Sequence, residues 1–185
     1  MSIVIGQHLN TRHAPHPWFA TQDDELVVGG DKLSTLAQRI GCTPFYVYDR
    51  SVIDRKLCQL RDALPQAMQI RYAVKANPLP QLVEYLRARI DGMDVASAGE
   101  LAIALNAGTL PHNISFAGPV KTDSELQAAV AADVLINVES ERELRVLSNL
   151  ARATNRRPRI AIRVNPNFEL KTSGMKMSGG PKPFG

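Results

Sequence analysis

The strongest constraint in this sequence is an alternation. From Gln69 to Val164, short runs rich in Val and Ile trade places with amphipathic stretches five times over. Strands are expected at Gln69–Val74, Met93–Ala96, Ile114–Ala117, Val134–Val138 and Arg159–Val164. Helices are expected between them at Leu79–Ile90, Ala98–Asn106, Asp123–Ala132 behind a Thr122 cap, and Ser140–Arg152. One helix per pair of strands is the signature of right-handed βαβ units building a parallel sheet, so the fold class is α/β. Upstream, Leu26–Val28 running into Gly29 and Gly30 predicts a strand and a turn. A short helix at Leu33–Arg39, a strand at Phe45–Tyr48 and a helix at Ser51–Leu64 capped by Ser51 follow. Nothing regular is expected after Pro166.

Composition removes several classes. With 185 residues, 44% of them apolar, the chain can fill a core. No apolar run exceeds five residues, as at Ala128–Ala132, against the roughly 18 a spanning helix needs, so no membrane partner is expected. The first residues lack a basic segment followed by an apolar one, and a cytoplasmic location is the expectation. Cys42 and Cys58 stand in no metal-binding or paired spacing and read as buried thiols, with no metal site. The net charge of +4 rests on Lys171, Lys176 and Lys182; without them 19 bases face 18 acids. The arginines between Arg152 and Arg163 have no interleaved aromatics and read as a solvated helix end and loop, with no nucleic-acid partner.

Two architectures accommodate five such units: a doubly wound, flavodoxin-like sheet, and the first part of a (β/α)₈ barrel, usually about 250 residues long. Both gather ligands where parallel strands end. Strand one delivers Lys75, strand two Asp94 followed by Glu100, strand four Asn137 and Glu139, and strand five Arg163. No Gly-rich phosphate loop follows strand one, which counts against the doubly wound alternative. A lysine buried beside fixed carboxylates suits Schiff-base chemistry, because desolvation frees its amine as a nucleophile. Taken singly, each residue also has a plain reading: a solvated strand-end lysine, a turn carboxylate, a surface ion pair.

Together the motifs carry a resemblance. Tyr72–Asn77 (YAVKAN), Asp94–Leu101 (DVASAGEL), Ala117–Lys121 (AGPVK), Asn137–Leu144 (NVESEREL) and Arg163–Pro166 (RVNP) resemble the successive barrel motifs of the fold-type III pyridoxal-phosphate decarboxylases, nearest the diaminopimelate and ornithine decarboxylase group. Residues 174–185 resemble the branch associated with exosortase A systems. The resemblance implies a partial (β/α)₈ barrel of the alanine racemase/decarboxylase type, about five units long and ending before a C-terminal β-domain. Residues 1–23 would be an irregular leader, 24–50 a segment joining that β-domain, and 51–185 the partial barrel.

It further implies that Lys75 holds pyridoxal 5'-phosphate as an internal aldimine, that Asp94 and Glu100 lie near the lysine and the ring, and that Arg163 orients the ring from beneath. The implied reaction is decarboxylation of a small amino acid of the diaminopimelate or ornithine kind, by a homodimer. The family's phosphate-gripping loop, stacking histidine and pyridinium acid would follow Gly185, so the chain is expected to be an N-terminal part with little activity alone. A racemase on the same barrel and a non-catalytic, cofactor-binding or decoy subunit are the alternatives.

Overall fold

The computed structural model describes residues 18–166, in two compact units that part between Pro65 and Gln66. The first unit opens with a three-stranded antiparallel meander, β1 (Ala20–Gln22), β2 (Glu25–Val28) and β3 (Asp31–Lys32). Both connections are two-residue turns. Asp23 and Asp24 close the first at φ 51° and 59°, Gly29 and Gly30 the second at 62° and 91°. Positive φ at both central positions matches the twist of the paired strands, and Asp tolerates it better than most residues.

Helix α1 (Leu33–Ile40) follows and ends on Gly41 in the left-handed conformation. Helix α2 (Arg50–Ala63) is capped by Asp49, not by Ser51 as the sequence suggested. The Asp49 carboxylate accepts from the Ser51 amide at 2.8 Å and from the Gly29 amide at 3.0 Å, so one side chain holds both the helix start and the turn of the meander. Ser51 also donates its hydroxyl to Asp49 at 2.7 Å, which holds the acid below the ordinary carboxylate range.

Three further expectations change here. Phe45–Tyr48 is extended but pairs with no strand among the described residues; its alternation, Phe45 and Val47 half-buried and Tyr46 and Tyr48 exposed, marks a chain lying on a surface. Residues 20–22 of the expected leader form β1, a short and wholly exposed strand without apolar alternation to announce it. Cys42 and Cys58 are exposed free thiols, not buried ones, because one sits in the loop after Gly41 and the other on a helix that buries no residue.

The second unit is a five-stranded parallel sheet: β4 (Arg71–Ala73), β5 (Gly92–Val95), β6 (Ile114–Phe116), β7 (Leu135–Val138) and β8 (Arg159–Ile162). Helices α3 (Pro80–Arg87), α4 (Ala98–Asn106), α5 (Asp123–Ala131) and α6 (Glu141–Thr154) connect them. Spatial order equals chain order, β4-β5-β6-β7-β8. A flavodoxin-like sheet reverses its order at a switch point; a barrel never does. The order therefore selects the partial barrel, and right-handed crossovers then place all four helices on one face.

Register confirms which side chains share that face. Met93, Val95, Ile114, Phe116, Ile136 and Val138 are buried against the helices, with Val83, Leu101, Leu126 and Leu147 from the helix side. The opposite face carries Ala73, Asp94, Ser115, Leu135 and Arg159, aligned strand to strand. Cover fails at the edge, where Ile162 is 70% exposed. Among the described residues no helix is long and apolar enough to cross a membrane.

Candidate functional site

The C-terminal ends of the strands collect the titratable side chains. After β4 the chain enters a single 3₁₀ turn, Val74–Ala76, instead of continuing extended. Val74 is fully buried beneath that turn, whereas Lys75 is exposed. The expected burial of this lysine is thus absent. Among the described residues nothing covers the turn that bears it. Tyr72 donates its hydroxyl to the Asn77 carbonyl at 3.1 Å, and the Asn77 side chain accepts from the Leu79 amide at 3.1 Å, holding the turn from both sides.

Asp94 stands across from Ala73, two residues ahead of Lys75, and is half-buried. Its Oδ1 accepts from the Ser115 hydroxyl at 2.8 Å, the two residues being register partners on β5 and β6. Glu100 lies in the first turn of α4, where its Oε2 accepts from the Ala96 amide at 2.8 Å. Its observed partner is therefore the backbone of the β5–α4 connection. Arg163 extends the β8 ladder by donating its amide to the Val138 carbonyl at 3.0 Å. Its guanidinium approaches Glu139 Oε2 at 3.4 Å, and the Glu139 side chain is 1% exposed. Arg163 is consequently no surface pair: its partner is a buried carboxylate.

At this end Thr122 was expected as a cap, whereas Ser97 and Ser140 were not singled out as caps. Ser97, Thr122 and Ser140 cap α4, α5 and α6, each accepting from the amide three residues on, and each of those residues is a glutamate. Glu125 returns the bond to the Thr122 amide at 3.0 Å and also accepts from Ala98 at 3.0 Å, across to the preceding connection. The repeated Ser/Thr-x-x-Glu is a sequence signal for such boxes and could have been read in advance. Lys121 and Glu143, with side chains 1% and 2% exposed, form a buried ion pair at 3.1 Å that no spacing announces.

Of the expected arginine-rich stretch, Arg156 donates to the Ala131 carbonyl at 3.1 Å. Among the described residues no group of three His, Cys, Asp or Glu could hold a metal ion. A cavity of about 150 Å³ beside Arg87, Asp91 and Asn113 opens at the other end of the strands, next to Gly92 at the start of β5. Residues 174–185 lie outside the described residues.

A parallel sheet whose spatial order equals chain order, with an accessible amine, a braced acid and a guanidinium at its C-terminal edge, is part of a β/α barrel. Comparison with known proteins gives that class its family. Residues 50–185 match the pyridoxal binding domain of the pyridoxal-dependent decarboxylases, and the chain belongs to that family. It is 44% identical over 158 residues to the diaminopimelate decarboxylase of Aquifex aeolicus (strain VF5), covering 85% of this chain and 37% of the relative. It is 42% identical over 144 residues to the L-glutamyl-[BtrI acyl-carrier protein] decarboxylase of Niallia circulans, covering 77% and 34%. The crystal structure of Helicobacter pylori diaminopimelate decarboxylase complexed with L-lysine superposes with a TM-score of 0.74 at 31% identity, covering 82% of this chain and 39% of that one. The chain thus spans little more than a third of the length of these relatives.

Proposed function

We propose that the chain is the cofactor-attaching N-terminal part of a pyridoxal-phosphate-dependent amino-acid decarboxylase, acting on a substrate of the diaminopimelate or ornithine kind, in a homodimeric whole. The observation that carries this reading is the family match over residues 50–185, with Lys75 presented on the strand-end turn. The residues suit the group. An exposed primary amine is available to an aldehyde, and Asp94 and Arg163 offer a carboxylate and a guanidinium on one edge of the sheet. When bound, pyridoxal phosphate supplies the electron sink for the carbanion left by loss of CO₂.

In this reading Lys75 attaches the cofactor. Ser115 fixes the direction of the Asp94 carboxylate, so Asp94 presents a set geometry to a cationic or protonated neighbour. Arg163 supplies a fixed positive charge at the far end of the same edge. Glu100, spent on the Ala96 amide, contributes by holding the β5–α4 connection in shape. Residues 24–50 act outside the barrel in this assignment, and residues 51–185 form its partial wall.

The test is chemical. Pyridoxal phosphate is added to the purified chain, the mixture is reduced with borohydride, and the peptides are mapped by mass spectrometry. The expected adduct sits on Lys75, disappears in Lys75→Ala, and is accompanied by little release of CO₂ from diamino acids. No adduct, or one that survives in Lys75→Ala, overturns the assignment.

A further inference from the structure

Four residues at the strand ends, Gly118, Lys121, Glu139 and Glu143, close a ring of contacts that the cofactor reading leaves unused. Gly118, with φ 141°, is gripped from both sides. Its amide donates to Glu139 Oε1 at 2.6 Å, and its carbonyl accepts from Lys121 Nζ at 2.5 Å. The Lys121 ammonium lies 3.1 Å from Glu143 Oε1, an ion pair without hydrogen-bond alignment, while Glu143 Oε2 accepts from the Glu139 amide at 2.9 Å. The path therefore returns to Glu139, which is held by its own amide and by its carboxylate. Only then does the second oxygen of Glu139 face Arg163.

We infer that this ring is a positioning device: Lys121 and Glu143 set the Glu139 carboxylate, and Glu139 sets the guanidinium of Arg163 at the ligand edge. The inference deepens the cofactor reading and rests on it for the role of Arg163. The physical argument is one of cost. A buried ion pair is a poor source of stability, since desolvation offsets most of its attraction, and its best-attested use is to enforce one arrangement over others. Here the arrangement enforced is specific. Lys121 makes it possible to bury Glu143, Glu143 fixes a backbone amide on the β7–α6 connection, and that connection aims a second buried acid at β8. Two acids and two bases balance in charge, and Arg163, 31% exposed, is the member that reaches solvent.

Two measurements test this. In the cofactor-free chain, the Arg163 guanidinium Nε–H resonance is followed by NMR on replacing the buried pair together, Lys121→Met with Glu143→Leu, a swap that leaves no lone buried charge. The resonance should move or broaden through Glu139, which links the pair to Arg163; an unchanged resonance in a folded variant overturns the inference. Glu139→Gln, which keeps an acceptor for Gly118, serves as the second variant should the pair not fold.

The other measurement is a cycle of pyridoxal-phosphate affinities for Glu139→Gln, Arg163→Met and the two combined. Glu139→Gln alone should weaken binding about tenfold, the scale of a lost charged hydrogen bond. In the Arg163→Met background it should change nothing, and additive losses would refute the device. Should the wild-type chain form no adduct while the resonance still answers to the buried pair, the cofactor reading falls and the ring stands.

Discussion

The connection after β4 and the three that follow β5, β6 and β7 occupy equivalent places in the sheet and are built differently. Each of the later three carries a hydroxyl cap and a glutamate that binds backbone amides, and two of them share the Lys121–Glu143 pair. The first has none of this. Helix α3 begins behind Leu79 with no side-chain cap, Pro80 opens its first turn, and Lys75 stands exposed on a 3₁₀ turn. In the proposed reading the capped connections make the frame and the uncapped one offers the amine. A nucleophile that must meet an incoming aldehyde gains from access, whereas the groups that orient a ligand gain from being held.

The sharpest way to break this contrast is to compare two lysine-bearing connections by thermal or urea melting. Glu143→Ala leaves the Lys121 ammonium buried without its partner and should cost about 3–5 kcal/mol. Lys75→Ala removes an exposed side chain and should stay within about 0.5 kcal/mol of wild type. Equal losses would show that the first connection is as structural as the others. Next in size is Gly118→Ala. At φ 141° a side chain is strained although the nearest atom, the Ala96 carbonyl oxygen, is 3.6 Å from the new Cβ, so a loss of about 1–3 kcal/mol is expected. A neutral result would mean that the clamp on Gly118 is soft.

Smaller still are the caps. Ser97→Ala and Ser140→Ala each remove one acceptor from a helix N-terminus and should each cost about 1 kcal/mol. Both should be read as melting shifts with the adduct at Lys75 still formed. A cap variant that keeps its stability and loses the adduct would move that connection from frame to site.

Much of this organisation was legible before the structure. Helix α4 falls where it was placed, and Thr122 caps α5, because apolar spacing and a hydroxyl ahead of acids are local signals. Strand order is not local. Five βα units read the same in a barrel and in a doubly wound sheet; the missing Gly-rich loop and the resemblance favoured the barrel, and the pairing of β4 through β8 in chain order bears it out. Burial is not local either: Lys75 follows a buried Val74 yet is itself exposed, since the chain turns at that residue instead of running on as a strand. Asp49 rather than Ser51 caps α2 through a bond to the Ser51 amide only two residues on, a local signal, whereas its second partner, the Gly29 amide, lies 20 residues away and is not local. Glu139, Lys121 and Glu143 stayed invisible as a group for the same reason, joining connections about 20 residues apart.

The smallest expected effect concerns acid. Glu125 is held below its ordinary value of 4.5, first by the Thr122 amide that donates to it, against a desolvation cost, with the Ala98 amide adding to the lowering. A carboxylate whose folded pKa is depressed contributes stability above its unfolded pKa, and loses that contribution as pH falls through the folded value. The window therefore opens near pH 4.5 and extends downward, and neutral pH lies on its stable side. Glu25 and Asp49 of the first unit are shifted in the same direction, so acid weakens the whole chain and a single melting curve does not isolate Glu125. A difference does. Glu125→Gln keeps an acceptor for one amide but cannot titrate, so below about pH 4.5 the melting temperature of wild type should fall more steeply than that of the variant, and the two curves should converge. Parallel curves would show that the β6–α5 cap owes nothing to charge, leaving the hydroxyl of Thr122 as the whole of it and narrowing the difference between this connection and the uncapped one that carries Lys75.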